Sequence, residues 1–290
     1  MQEYLTSDRV ANAEHVSHFH IHSKPAHTLL AKACLSVLLH PDYGIEKVDT
    51  KDFPLIEYAA EHGVEHARFP DVSLYICDGI DLLFEKDKPH FATWVGIYNI
   101  DEHWHVPSGD TPEECQPSPL YYAVLCGVDG LVERLLTAHP QNPDAAAGWY
   151  GAPLNAALAK GYLDIARFLL DLGAVGDDMN HADQTGLYIA SSRGYADVVR
   201  SLISRGANPN ARCGDWKTVL EGQVLWTPLH AAIYFDHPDI ALLLLDGGAD
   251  PETRSMEDQT ALYMCKADAA LFNQSMSIID RHVANWPQCQ

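Results

Sequence analysis

Asp101-Glu102-His103-Trp104-His105 is the densest grouping of acid/base residue types in this chain of 290 residues. A carboxylate beside an imidazole forms an acid/base pair when the imidazole titrates near neutrality. On a strand, His103 and His105 would share a face. The alternative, favoured by Pro107, Gly109, Pro112 and Pro117, is a connecting loop. His181 and Asp183 make a second pair, in a stretch where Asp and Asn also commonly shape turns. Lys160 and Arg193 are cations able to hold a carboxylate. His103, His105, Lys160, His181, Asp183 and Arg193 are therefore the groups on which a catalytic reading would rest. A run of imidazoles, His15, His18, His20, His22 and His27, has the residue type of a zinc site. A structural zinc needs four placed ligands, and cysteines are distant in sequence, so the run reads as a polar loop and no metal is assigned. No G-x-S-x-G, H-E-x-x-H or dinucleotide fingerprint occurs, and nothing calls for a cofactor.

The elements that must position these residues come from a repeat. SPLYYAVLCGVDGLVERLL (118–136) returns as APLNAALAKGYLDIARFLLDLGA (152–174), as TGLYIASSRGYADVVRSLISRGANPN (185–210) and as TPLHAAIYFDHPDIALLLLDGGADP (227–251). A partial copy, TALYMCKADAALF, begins at Thr260. Pro119, Pro153, Gly186, Pro228 and Ala261 hold one equivalent position, at steps of 34, 33, 42 and 33 residues. In the copy at 227, Thr227 can cap a first helix and Pro228 fits its first position, where no N–H is needed. That helix ends near Asp236, where the other copies place Gly127, Gly161 and Gly194. A second helix follows, for example from Pro238 to Leu245. His230 reads as a structural hydrogen-bonding residue, replaced in other copies by Tyr121, Asn155, Tyr188 and Tyr263.

A period near 33 with a T-P-L-H-x-A opening resembles the ankyrin repeat, a turn plus two antiparallel helices. That resemblance implies an all-α solenoid whose repeats share one core and whose first helices line a concave binding surface. It places Tyr122, Leu125 and Cys126, then Ala156, Ala159 and Lys160, then Ile189, Ser192 and Arg193, then Ala231, Tyr234 and Phe235 on that surface. The long step reflects an insertion between Asn210 and Thr227, which in a solenoid goes to a loop. It carries Trp216 and Trp226, and the turn before Pro153 carries Trp149 and Tyr150.

Residues 1–115 lack the clean repeat and read as a helical N-terminal cap; residues 116–290 hold the repeats. Leu29 to His40 reads as an amphipathic helix preceded by a loop from Val16 to His27. Phe53 to Gly63 reads as a degenerate first repeat helix, and Ser73 to Phe84 as a helix with Asp78 and Asp81 on its polar side. MQEYLTSDR, Phe19-His20-Ile21, PAHTLLAKACLSVLL (25–39), DFPLIEYAAEHGVEHARF (52–69) and DKPHFATWVGIYNID (87–101) are similar to the stretch joining the NTPase module to the ankyrin array in fungal NACHT–ankyrin proteins. In that family the first part closes a winged-helix-like segment. This chain has no G-x-x-x-x-G-K-[ST] loop to cradle a phosphate, so the family's NTPase activity does not carry over.

Composition narrows the partners. Nineteen basic against 40 acidic residues give a net charge of −21, which opposes nucleic-acid backbones and anionic membranes. No run of 18 apolar residues occurs, and the opening MQEYLTSDR does not read as a signal peptide. Seven scattered cysteines without C-x-x-C suggest reduced thiols and a cytoplasmic setting. The expected function is a binding module holding a protein segment or small ligand in the concave groove. Its contacts would be Tyr122, Trp149, Tyr150, Trp216, Trp226, Tyr234 and Phe235, with Lys160 and Arg193 for an anionic group. The alternative is a cofactor-independent isomerase, cyclase or lyase of fungal secondary metabolism, with its active site in the same pocket.

Overall fold

A computed structural model describes residues 23–40, 55–68, 72–85, 88–98, 100–101, 118–138, 142–144, 148–180, 184–214, 225–255, 260–261 and 263. The chain divides into two compact units, Met1–Gln141 and Asn142–Gln290.

The first unit holds α1 (Ser23–Leu38), α2 (Ile56–Ala67), α3 (Val72–Leu83), α4 (Pro89–Ile97), α5 (Pro119–Cys126) and α6 (Asp129–Ala138). α1 packs along α2 and α3, and α3 reaches α6. The first pair seam is tight: a Cβ on Gly63 of α2 would come within 2.9 Å of the Cys34 Cβ. Trp94 of α4 is 1% exposed and donates its indole N–H to the Ala60 carbonyl at 2.8 Å. Asp81 of α3 accepts the Arg134 Nε–H of α6 through both carboxylate oxygens, at 2.9 and 3.0 Å, and the Arg134 Nη2 lies 2.8 Å from Oδ1 in an ion pair. The expected polar side of the third helix is thus the side that grips α6.

The helix containing Leu29 begins at Ser23, so the segment from Ser23 to His27, expected as loop, is helical. Pro25 is compatible with this, because a helix's first turn needs no intrahelical N–H. His27 consequently lies on a packed helix, buried rather than in a polar loop.

The second unit holds three helix pairs: α7 (Pro153–Lys160) with α8 (Leu163–Asp171), α9 (Gly186–Arg193) with α10 (Ala196–Ser204), and α11 (Pro228–Tyr234) with α12 (Pro238–Asp246). First helices pack on first helices, α7 on α9 and α9 on α11, and second helices likewise, α8 on α10 and α10 on α12. This is the stacking of a repeat solenoid, since one pair is too small to bury its own apolar face. Ala156, Ala157, Ala190, Ala231 and Ala232 are fully buried between the rows.

The ends of the first helices follow from residue chemistry. Thr227 accepts the His230 backbone N–H through its hydroxyl, and the His230 Nδ1 lies 2.7 Å from that hydroxyl and 3.3 Å from the Thr227 N–H. His230 is therefore a buried helix-cap residue, as its place in the pattern predicts. Gly161 and Gly194 close α7 and α9 in the left-handed conformation, with φ of 79° and 82°. A side chain from the next pair crowds each: the Tyr195 hydroxyl lies 3.3 Å from where a Cβ on Gly161 would stand, and the His237 ring lies 2.9 Å from one on Gly194. At the third pair Asp236 holds the same turn with φ of 56°.

Candidate functional site

The fingertip turns that frame the first helices of the second unit are tied by side chains to backbone. The Asp144 carboxylate accepts the Val175 N–H at 3.1 Å and the Gly176 N–H at 3.3 Å. Asn155 donates to the Asp178 carbonyl at 2.8 Å. Asn210 donates to the Gly248 carbonyl at 3.0 Å and accepts the Asp250 N–H at 2.8 Å. Asn180 and Gln184 exchange three bonds of 2.9–3.1 Å. Burial raises the Asp177 carboxyl above the usual range; nearby Asp144 and Asp178 add to that, and a backbone bond from Asn208 opposes it.

The insertion is pinched at its base. Cys213 and Trp226 form an antiparallel bridge with both N–H to carbonyl bonds at 2.8 Å. The bridge holds Trp226 against the end of α11. Its ring centroid lies 4.8 Å from that of Tyr234, and Tyr234 meets Phe235 edge-on at 5.1 Å. Tyr234 and Phe235 are 52% and 48% exposed, so about half of each large ring faces solvent. Lys160 ends α7, exposed, with its ammonium 5.9 Å from the centre of the half-buried Tyr150 ring. Arg193 ends α9, also exposed. Neither cation forms an ion pair with a described residue, whereas Arg167 reaches Asp164 and Asp197, and Arg205 reaches Asp171.

This exposed set is smaller than the sequence expectation. Tyr122, Leu125, Cys126, Ala156, Ile189 and Ala231 are buried, at 6% exposure or less. Tyr122 is turned into the first unit, edge-on to Phe91, Trp94 and Tyr121 at 5.6–5.9 Å, so it is a packing residue and not an open ligand contact. The fourth position of each first helix points into the stack. Exposure returns in the last turn, where Ala159 and Ser192 are half-buried and Lys160, Arg193, Tyr234 and Phe235 are open. Trp149 and Tyr150 are half-buried in the turn before α7. Trp216, His103, His105, His181 and Asp183 lie outside the described residues, as do His15, His18, His20 and His22. Of the alternative catalytic set, the structure describes Lys160 and Arg193.

One arrangement had no signal in the residue types. In the first unit, His27 of α1 and His66 of α2 face each other through their Nδ1 atoms at 3.0 Å, both buried, and the Tyr58 hydroxyl lies 3.4 Å from the His66 Nε2. A spacing of 39 residues between two histidines announces nothing until α1 and α2 pack. Among the described residues no group of three or more His, Cys, Asp or Glu converges as a metal site, and no helix is long and apolar enough to cross a membrane.

The second unit is thus a helical-repeat module with an aromatic and cationic edge at the ends of its first helices. Residues 120–213 and 174–255 each match the model of the family described as ankyrin repeats (3 copies). The chain is 33% identical over 187 residues to azaphilone pigments biosynthesis cluster protein L of Monascus ruber, an alignment covering 60% of this chain and 39% of that protein. It is 26% identical over 186 residues to human rabankyrin-5, covering 60% of this chain and 15% of the relative. It is 32% identical over 105 residues to mouse protein phosphatase 1 regulatory subunit 12A, covering 36% and 9%. The chain spans well under half the length of each of these relatives.

Proposed function

We propose that this chain is a protein-binding module that holds a segment of a partner along the last turns of α7, α9 and α11, on the concave face of its repeats. The observation that carries this reading is the exposed ring pair Tyr234–Phe235, backed by Trp226, in a row of first-helix ends that also carries the exposed Lys160 and Arg193, which form no ion pair with a described residue. A folded protein leaves large rings half in water at a cost, and clustered aromatics with Arg are the side chains that dominate protein interfaces. Ankyrin repeats supply a rigid row of first helices for such a surface. Trp149 and Tyr150 extend it at the α7 end, and Trp216 is an added contact from the insertion. Residues 1–115 serve as a cap, since the terminal element of a repeat array must hide the end of the core behind an atypical face.

Site-specific photo-crosslinking tests this. A photoreactive residue placed at Tyr234 of the full chain, in cells that express it, is expected to capture a polypeptide. The same residue at Leu242, exposed on the second helix α12, serves as control. Equal capture at both positions, or capture of small molecules alone at Tyr234, would sink the reading.

A further inference from the structure

We infer that the bound segment is extended, with two carboxylates three residues apart and a large apolar side chain three residues beyond the second. This rests on the binding reading above and adds the chemistry and spacing of the ligand. Lys160, Arg193 and Phe235 occupy one structural position. Each directly precedes the left-handed residue that stops its first helix: Gly161 at φ 79°, Gly194 at φ 82° and Asp236 at φ 56°. All three side chains are exposed. α7 packs on α9 and α9 on α11, so these equivalent positions advance by one interhelix spacing, about 8–10 Å.

A ligand that meets all three must present a side chain to the same side at that interval. A polyproline-type chain has three residues per turn and rises about 3.1 Å per residue, so every third side chain returns after about 9 Å. A β-strand returns every second residue, after about 7 Å, and falls out of step at the second contact. An α-helix returns near this interval only at every seventh residue, needing some 15 residues to touch all three points and the ordering cost of a marginal helix.

Charge sets the side-chain types. In a chain of net charge −21, Lys160 and Arg193 form no ion pair with a described residue, while Arg167 and Arg205 do. Two carboxylates on the ligand complement them, with Arg able to grip its partner through two N–H groups. Phe235, with Tyr234 against its edge and Trp226 behind, takes an apolar side chain. The acidic remainder of the protein repels further acidic residues and attracts basic ones, so flanking Lys or Arg on the ligand speeds association.

Fluorescence anisotropy of labelled peptides on the full chain tests the spacing. One peptide carries Glu-x-x-Glu-x-x-Phe in an Ala/Pro background. Two others keep the composition but place these residues two or seven apart. The first is expected to bind about tenfold more tightly than either, with Lys160→Glu, Arg193→Glu and Phe235→Ala each weakening it by about fivefold to tenfold. A peptide with Lys for both Glu is expected to recover binding to the Lys160→Glu/Arg193→Glu double variant. Equal affinity for all three spacings, lost in the triple variant, overturns the spacing and leaves the binding edge standing. Peptide binding that survives the triple variant overturns both. No binding at any spacing overturns the ligand chemistry, while the crosslinking at Tyr234 still decides the binding reading.

Discussion

Around Trp94 in the first unit, Phe84, Phe91 and Tyr122 meet its indole at ring-centre distances of 5.3–6.1 Å. Between the first helices of the second unit the corresponding space is filled by Ala156, Ala157, Ala190, Ala231 and Ala232. Bulky rings bring together helices of irregular order, each filling a space of its own shape. Small residues let identical elements approach at a constant distance, and that constancy is what a repeat needs. Specificity in the first unit therefore resides in individual side chains. In the second it resides in register, guarded by the few places where a neighbour leaves no room.

The comparison breaks first where a ring is removed. Trp94→Ala deletes a fully buried indole and its bond to Ala60, and is expected to cost roughly 3–5 kcal/mol. Hydrogen exchange read segment by segment should show the loss in α2, α3 and α4. A loss spread evenly over α7–α12 as well would show that the two regions do not differ in the way argued.

The second unit is tested at Gly186. The repeat pattern has Pro at the equivalent positions 119, 153 and 228, so Gly186→Pro brings the sequence closer to its own pattern. It should nevertheless destabilise by roughly 1–3 kcal/mol, because the Gly186 N–H donates to the Gly176 carbonyl at 2.8 Å and that bond would be lost. A Cβ there would also stand 2.7 Å from the Asn155 Oδ1, a buried atom with no hydrogen-bond partner among the described residues. Urea denaturation of Gly186→Pro, alone and with Asn155→Ala, checks both terms. The double variant should lose less than the sum of the singles.

The smallest expected effect is a pH dependence confined to the first unit. An Nδ1 to Nδ1 bond needs one donor and one acceptor, which the neutral or singly protonated His27–His66 pair provides and the doubly protonated pair does not. Burial lowers the pKa of both rings below the ordinary 6.5; for His66 the neighbouring His27 and His62 add to this and Glu65 opposes it. The unfolded chain thus binds more protons than the folded one below that value. The pair's contribution is present above about pH 6.5 and is lost as the pH falls. Urea midpoints measured across that range should slope for the wild type and flatten for His66→Gln.

The sequence made the repeat boundaries legible because their signals are local: a threonine cap, a proline at the first helical position, a glycine at the end. Thr227, His230, Gly161 and Gly194 all stand where the pattern put them. What escaped depends on contacts far apart in the chain. Gly186 looks like a lapse from the motif until Asn155, 31 residues earlier, fills its space. Tyr122 shares its helix position with residues assigned to a binding face, and only packing against Phe91 and Trp94 shows it turned inward. Of the proposed site, Lys160, Arg193, Tyr234 and Phe235 were readable from the last turn of each helix. That Lys160 and Arg193 form no ion pair with a described residue was not, because it depends on where the acidic side chains go.

The Cys213–Trp226 bridge carries a consequence for how such a chain can diversify. With Cys213 and Trp226 bonded to each other, the two ends of the insertion are held together whatever residues stand between them. Closing a longer loop costs little, roughly 0.6 kcal/mol for each doubling. Mutations and insertions can accumulate there without disturbing helix stacking, while Trp226 stays fixed at the edge. The bridge is a graft point: new recognition sequence can be spliced in beside an anchor that does not move.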